Sequence, residues 1–370
     1  MDTQALDIFL VATPGLESAL CAEARALGFN RPRPVRGGVE ITGDWCEAWR
    51  ANLELRGASR VLVRIAQFRA SHLAQLDKRS RALAWRDVLR ADVPVRVEAS
   101  CRKSKIYHSG AAAQRVETAI ADDLGAPVSP AAQVRVLVRI ENDLCTISVD
   151  TSGEGLHRRG HKLEVNKAPM RETLAALFLR QCGFDGSEPV LDPMCGSGTF
   201  VIEAAEMALG LKPGRGRDFA FEQLATFDAG LWTAMKAGAH STAPDFLFYG
   251  SDRDAGAVRM SLANAERAGV GSVTRFGQTP IEALERPDGP AGLVIVNPPY
   301  GLRIGDRKKL YPLYGALGAV LRARFSGWRV GLVTADPALA RATGLDFGKP
   351  GESVDNNGVR IALYRTGVLA

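Results

Sequence analysis

Along this chain, apolar residues alternate with polar ones in some runs and recur every three or four positions in others, and the two periods separate strands from helices. IFLVATP (residues 8–14) predicts a strand leading into a turn. From Gly15 to Leu27 the apolar spacing is helical and ends at Gly28. VRGGVEITG then reads as a glycine-rich hairpin or strand edge, followed by a helix around Trp45 to Leu53. RVLVRIAQF alternates as a strand, residues 72–91 are mainly helical, and PVRVEASC returns to strand. Residues 110–124 suit another helix, after which VRVLVRI and LCTISVD resemble a hairpin around Glu141 to Asp143.

Across TSGEGLHRRGHKLEVNKAP (151–169), glycines and charges replace strand periodicity, which marks a boundary. A helix from about Arg171 to Cys182 opens the third unit. PVLDP, an apolar helix over 199–209, FLFYGSD, a helix through 254–268 and GLVIVNPP then repeat a strand and crossover pattern, which favours a mostly parallel α/β sheet. The expected division is 1–59, 60–150, a basic connector over 151–169, and a third unit over 170–370.

Composition narrows the class. The chain has 370 residues, 46% of them hydrophobic, enough for sizeable cores in two or three domains. The net charge is +6, with the surplus mostly in the N-terminal half; it permits attraction to nucleic acid without establishing it. Cysteines 21, 46, 101, 145, 182 and 195 show no CxxC spacing, which fits separate reduced thiols better than staples or zinc ligands. His157 and His161 lack a nearby carboxylate or thiol to complete a metal site, so no metal is expected and packing is the expectation for both. With no leader pattern and no 18-residue apolar run, the expected address is the cytoplasm, without a membrane partner.

Two stretches carry chemistry. DPMCGSGTF (192–200) follows a short apolar strand and precedes an apolar helix, where Gly196 and Gly198 let main-chain atoms approach a ligand. It is neither a full dinucleotide fingerprint nor a phosphate loop. Asp192 suits a ligand ammonium, directly or through water, and Asp252 at the end of FLFYGSD suits ribose hydroxyls. The second stretch, IVNPPYG (295–301), ends an apolar run in Asn, two prolines and Tyr, with no Ser, His or Cys beside it as a nucleophile.

Taken in order, DPMCGSGTF, YGSD and NPPYG resemble class I S-adenosylmethionine-dependent methyltransferases, especially the bacterial guanine-N2 RNA methyltransferases that join this domain to a THUMP domain. The resemblance implies a C-terminal class I methyltransferase over 170–370, a THUMP domain over 60–150 and a small ferredoxin-like unit over 1–59, the two N-terminal units being α+β. It implies cofactor contacts from Asp192, Cys195, Gly196, Ser197, Gly198 and Asp252. It also implies that Asn297 and the Pro298 carbonyl accept the two hydrogens of an amino group while Tyr300 stacks on the base. The missing nucleophile is then the substrate nitrogen itself, and the catalytic need is orientation and charge management. The insert KPGRGRDFAFEQLATFDAGLW resembles a segment of the ribosomal RNA branch.

CRKSKIYHSGAAAQRV offers Arg102, Lys103 and Lys105 for phosphate, and the connector adds Arg158, Arg159 and Lys162; Arg303 comes shortly after the NPPY segment. The expected acceptor is 23S rRNA or a ribosomal precursor. A guanine near the acceptor end of tRNA is the alternative, and a protein glutamine the next, since NPPY identifies amino-group chemistry better than its acceptor. A noncatalytic RNA-binding protein is the competing class.

Overall fold

The computed structural model describes residues 5–163, 170–237, 244–300 and 304–370. In chain order the first elements are β1 (Leu6–Val11), α1 (Glu17–Ala26), β2 (Arg33–Val35), β3 (Gly38–Gly43), α2 (Trp45–Glu54), β4 (Arg60–Arg69) and α3 (Leu73–Arg81). Next come β5 (Val95–Arg102), α4 (Ser109–Leu124), β6 (Val134–Glu141), β7 (Leu144–Asp150), α5 (Glu172–Gln181), β8 (Val190–Asp192), α6 (Thr199–Ala208) and α7 (Ala229–Lys236). The rest comprises β9 (Phe248–Asp252), α8 (Ala255–Ala268), β10 (Thr274–Gln278), β11 (Leu293–Val296), α9 (Ile304–Arg324), β12 (Arg329–Thr334), α10 (Pro337–Ala342), β13 (Val354–Asn356) and β14 (Val359–Arg365). The chain divides into two compact units: Met1–Ala12, Leu20–Leu156 and Arg217–Gly238 form the first, and Thr13–Ala19, His157–Gly216 and Ala239–Ala370 the second.

The first unit holds one seven-stranded sheet in the order β2-β3-β1-β4-β7-β6-β5. Its pairs are antiparallel except β5 with β6. Strand β4 pairs with β1, Val63 opposite Ile8, and with β7, Val63 opposite Val149. The sheet is therefore continuous across the point where the sequence suggested a division, near residue 60. Asn142 and Asp143, both at positive φ (51° and 61°), make the tight turn joining β6 to β7.

The segment Arg217–Gly238 departs from expectation by belonging to this unit rather than to the one that surrounds it in sequence. Aromatic burial is the physical reason. Phe221 stacks on Trp49 of α2 at 5.6 Å, Phe219 stacks on Phe221 at 5.2 Å, and Trp232 of α7 meets Phe221 edge-on at 5.0 Å.

The second unit holds the other sheet, in the order β10-β9-β8-β11-β12-β14-β13. The first five strands are parallel and the last two pairings antiparallel. Strand β11, Leu-Val-Ile-Val, is buried along its whole length, as a central parallel strand covered on both faces must be. Successive strands run outward in one direction from β8 and in the other from β11, so the order reverses between these two neighbours. Ligands of such sheets bind at the carboxyl ends beside that reversal. Among the described residues, no helix is long and apolar enough to cross a membrane, and no group of three or more His, Cys, Asp or Glu side chains is placed to hold a metal ion.

Candidate active site

Strand β8 ends on Asp192, and its main chain then folds over the end of β9. The Met194 N–H donates to Asp192 Oδ1 (3.1 Å), the Cys195 N–H to the Ser251 carbonyl (2.9 Å), and the Gly196 N–H to Asp252 Oδ2 (3.1 Å). Gly196 and Gly198 take the left-handed conformation, φ 57° and 80°, which favours glycine. A Cβ added at Gly196 would meet nothing within 4 Å, so the loop turns bare backbone toward open space. At Gly198 an added Cβ would come within 3.1 Å of Ser261 Oγ.

Two residues that the sequence pattern did not single out brace this loop from α8. Ser261 Oγ donates to the Gly196 carbonyl (3.1 Å) and Asn264 Nδ2 to the Ser197 carbonyl (3.1 Å). The available signal was a pair of polar residues three apart on the otherwise apolar buried face of α8. Cys195 turns its thiol inward, 3.5 Å from Ser261 Oγ, where burial pushes it far above the usual range; any ligand contact from Cys195 is made by its main chain. Gln278, the last residue of β10, donates to the Arg253 carbonyl (3.1 Å).

The electrostatics of the loop suit a ligand with a cation and hydroxyls. Asp192 is 3% exposed, and burial pushes its carboxyl up to about 8, with Asp252 adding repulsion and the Met194 N–H opposing both. An ammonium placed beside it would reverse that penalty. Asp252 accepts the Gly196 and Asp254 N–H groups, one on each oxygen, and each oxygen keeps acceptor capacity for a hydroxyl.

On the next strand, β11 delivers Asn297. Its Oδ1 is buried and has no hydrogen-bond partner among the described residues. A buried acceptor at this place can take a hydrogen from a bound N–H group. Pro298 is buried, Pro299 exposed, and Tyr300 partly buried against the core that includes Val294, Val296 and Leu332. The Tyr314 hydroxyl of α9 lies 3.3 Å from the Pro299 carbonyl. Nothing in the sequence distinguished Tyr314 from the apolar residues around it.

The basic residues separate into two groups. Arg102 at the end of β5 and Lys103 and Lys105 in the loop that follows are exposed, and Lys103 is at positive φ (47°). Asp143 ties this loop down by accepting the Lys105 N–H (2.7 Å). Arg158 is also exposed. Arg159 and Lys162 require correction, for neither presents a free cation to RNA. Arg159 is 4% exposed and pairs with Glu203 and Glu206 of α6. Lys162 donates to the Met170 carbonyl (2.7 Å) and lies 3.6 Å from Glu172, its side chain 8% exposed. His161 is buried beside Glu206, and burial lowers its pKa. Arg303 lies outside the described residues.

Residues 159–361 match the family described as RMKL-like, methyltransferase domain, and residues 7–62 match the RlmL ferredoxin-like domain. A ribosomal RNA large subunit methyltransferase K/L from Vibrio campbellii is 34% identical over 344 residues, covering 89% of this chain and 49% of that protein. The chain thus spans about half the length of the curated relatives it matches. Among solved structures, a possible methylase from Clostridium difficile 630 is 28% identical, with a TM-score of 0.90 over 99% of each chain. SMU.472 complexed with SAH is 26% identical, with a TM-score of 0.88 over 100% of this chain and 99% of that one.

Proposed function

We propose that this chain, which belongs to the RMKL-like methyltransferase family, transfers a methyl group from S-adenosylmethionine to the exocyclic N2 of a guanine in 23S ribosomal RNA. The observation that carries the reading is the buried Asn297 Oδ1, without a hydrogen-bond partner among the described residues, directly after β11 and beside the strand that ends in Asp192. A buried acceptor without a donor suits a substrate that brings an N–H. The names of the K/L relatives point to ribosomal RNA, and the SAH complex of SMU.472 points to the cofactor.

In this reading Asp192 takes the cofactor ammonium, Asp252 its ribose hydroxyls, and the main chain of Cys195 to Gly198 lies along it. The cofactor supplies an electrophilic methyl on a sulfonium. Asn297 Oδ1 accepts one amino hydrogen and the Pro298 carbonyl the other, which turns the nitrogen lone pair toward the methyl carbon. Both acceptors also stabilise the positive charge that develops on nitrogen. No base is required before attack, because the proton becomes acidic once the nitrogen is alkylated. Tyr300 offers the exposed part of its ring to the base. Arg102, Lys103, Lys105 and Arg158 hold RNA phosphate, with Arg303 a further candidate. A ribosomal RNA substrate sets the site of action in the cytoplasm.

The test incubates the purified chain with S-adenosylmethionine and either unmodified 23S rRNA or unmodified tRNA, then maps the product by nucleoside mass analysis. N2-methylguanosine in the ribosomal RNA is expected. Methylation confined to tRNA, or to adenine, would overturn the substrate assignment.

A further inference from the structure

The NPPY segment has an anchoring problem that arises from its sequence. Pro298 and Pro299 carry no N–H, so only their carbonyls can tie this stretch of backbone to the rest of the unit. Their rings fix φ at both residues, and Pro299 also restricts ψ of Pro298, so ψ of Pro299 is the torsion left open. If the Pro298 carbonyl is kept for substrate, the Pro299 carbonyl is the one remaining backbone anchor between them.

That carbonyl is held from the core. Tyr314 Oη lies 3.3 Å from the Pro299 oxygen and 3.2 Å from Thr334 Oγ1, and the Asp336 N–H donates to Thr334 Oγ1 (3.2 Å). The Tyr314 hydroxyl donates, and its one hydrogen has two acceptors in reach, the Pro299 carbonyl and Thr334 Oγ1, which also accepts from the amide of Asp336. Tyr314 is fully buried, Thr334 is 1% exposed and Asp336 5%, so water does not compete for these groups. Burial also pushes the Tyr314 phenol well above its ordinary value, which keeps it a donor across the working pH range. The hydrogen-bonded chain starts where α10 is capped by Asp336, passes through the end of β12, and reaches the loop from α9. Three packed elements thereby fix one peptide plane of a segment that cannot fix itself.

We propose that Tyr314 is a positioning residue for methyl transfer: its buried hydroxyl, donating toward the Pro299 carbonyl, restrains the last free backbone torsion of the Pro-Pro segment and so sets the Asn297 and Pro298 acceptors. The proposal rests on the guanine-clamp reading of those two residues.

The test compares Tyr314→Phe and Thr334→Val with the parent chain in two measurements. The first is amide hydrogen exchange at Asn297 and Tyr300 without RNA, and Tyr314→Phe is expected to speed it about tenfold, as loss of one buried hydrogen bond should. The second is turnover on 23S rRNA, where kcat falls about tenfold while KM for RNA and the cofactor Kd stay within about twofold. Thr334→Val leaves the tyrosine hydrogen to the Pro299 carbonyl alone, so exchange at both amides slows while kcat is held, and this variant serves if Tyr314→Phe folds poorly. Unchanged exchange at both amides overturns the proposal whatever the substrate. So does a lowered Tm with parental kcat in Tyr314→Phe, since that marks a purely structural hydroxyl. If the parent chain methylates no guanine while exchange accelerates as expected, the guanine reading falls and the positioning role stands.

Discussion

Asn297 shows how much one side-chain atom can be asked to do. Replacing it with Ala removes that acceptor and leaves the buried strand before it intact, so the fold is kept while catalysis suffers. We expect Asn297→Ala to lower kcat about 100-fold, comparable to loss of one preorganised group facing developing charge, with cofactor affinity retained in calorimetry. Asp192 gives a pH signature. Its carboxyl, raised to about 8 by burial, meets an ammonium favourably only when ionised, so cofactor affinity should rise as pH rises and level off above about 8. Below that value the change approaches about tenfold per pH unit, and Asp192→Asn should bind weakly without that slope. Arg159 belongs to a different class. Truncating it to Ala takes the buried guanidinium away from Glu203 and Glu206, and denaturant titration should register a loss of about 3–5 kcal/mol. A change confined to RNA affinity would contradict the buried placement.

At the scale of elements, β11 is where pattern and packing agree most closely. Its four apolar residues end in Asn, which signals a strand delivering a polar group, and the structure buries all four. Ile295→Ala should cost about 2–5 kcal/mol, read as a lower thermal midpoint with an unaltered product. The loop after β8 was equally legible, because small residues between an apolar strand and an apolar helix leave few geometries. Its braces, Ser261 and Asn264, were not, since a polar residue within a helix gains meaning only once the facing element is known. The same limit hid Tyr314 and misdirected the connector. Arg159 and Lys162 look like a solvated basic run in one dimension, and their partners, Glu203, Glu206 and Glu172, lie 10 or more positions away.

On the scale of the whole molecule, the charge surplus alone said little, whereas its location says more. Arg102, Lys103 and Lys105 crowd the end of β5 and the exposed loop that follows, which also carries Tyr107, 85% exposed. Reversing Lys103 and Lys105 to Glu should weaken RNA binding across sequences and flatten its dependence on log salt by about one for each phosphate left unneutralised. Cofactor affinity should be untouched, and a cofactor effect alone would remove this loop from the RNA surface.

The order of residues in the first unit also constrains how the chain is made. Trp49 emerges from the ribosome long before Phe221 and Phe227, the rings that pack on it, and residues 157–216 of the other unit are synthesised in between. An N-terminal fragment ending at Leu156 would therefore leave Trp49 without its aromatic cover and show a solvent-exposed tryptophan emission. The unit reads as N-terminal in sequence, yet its core is completed only near the end of α7.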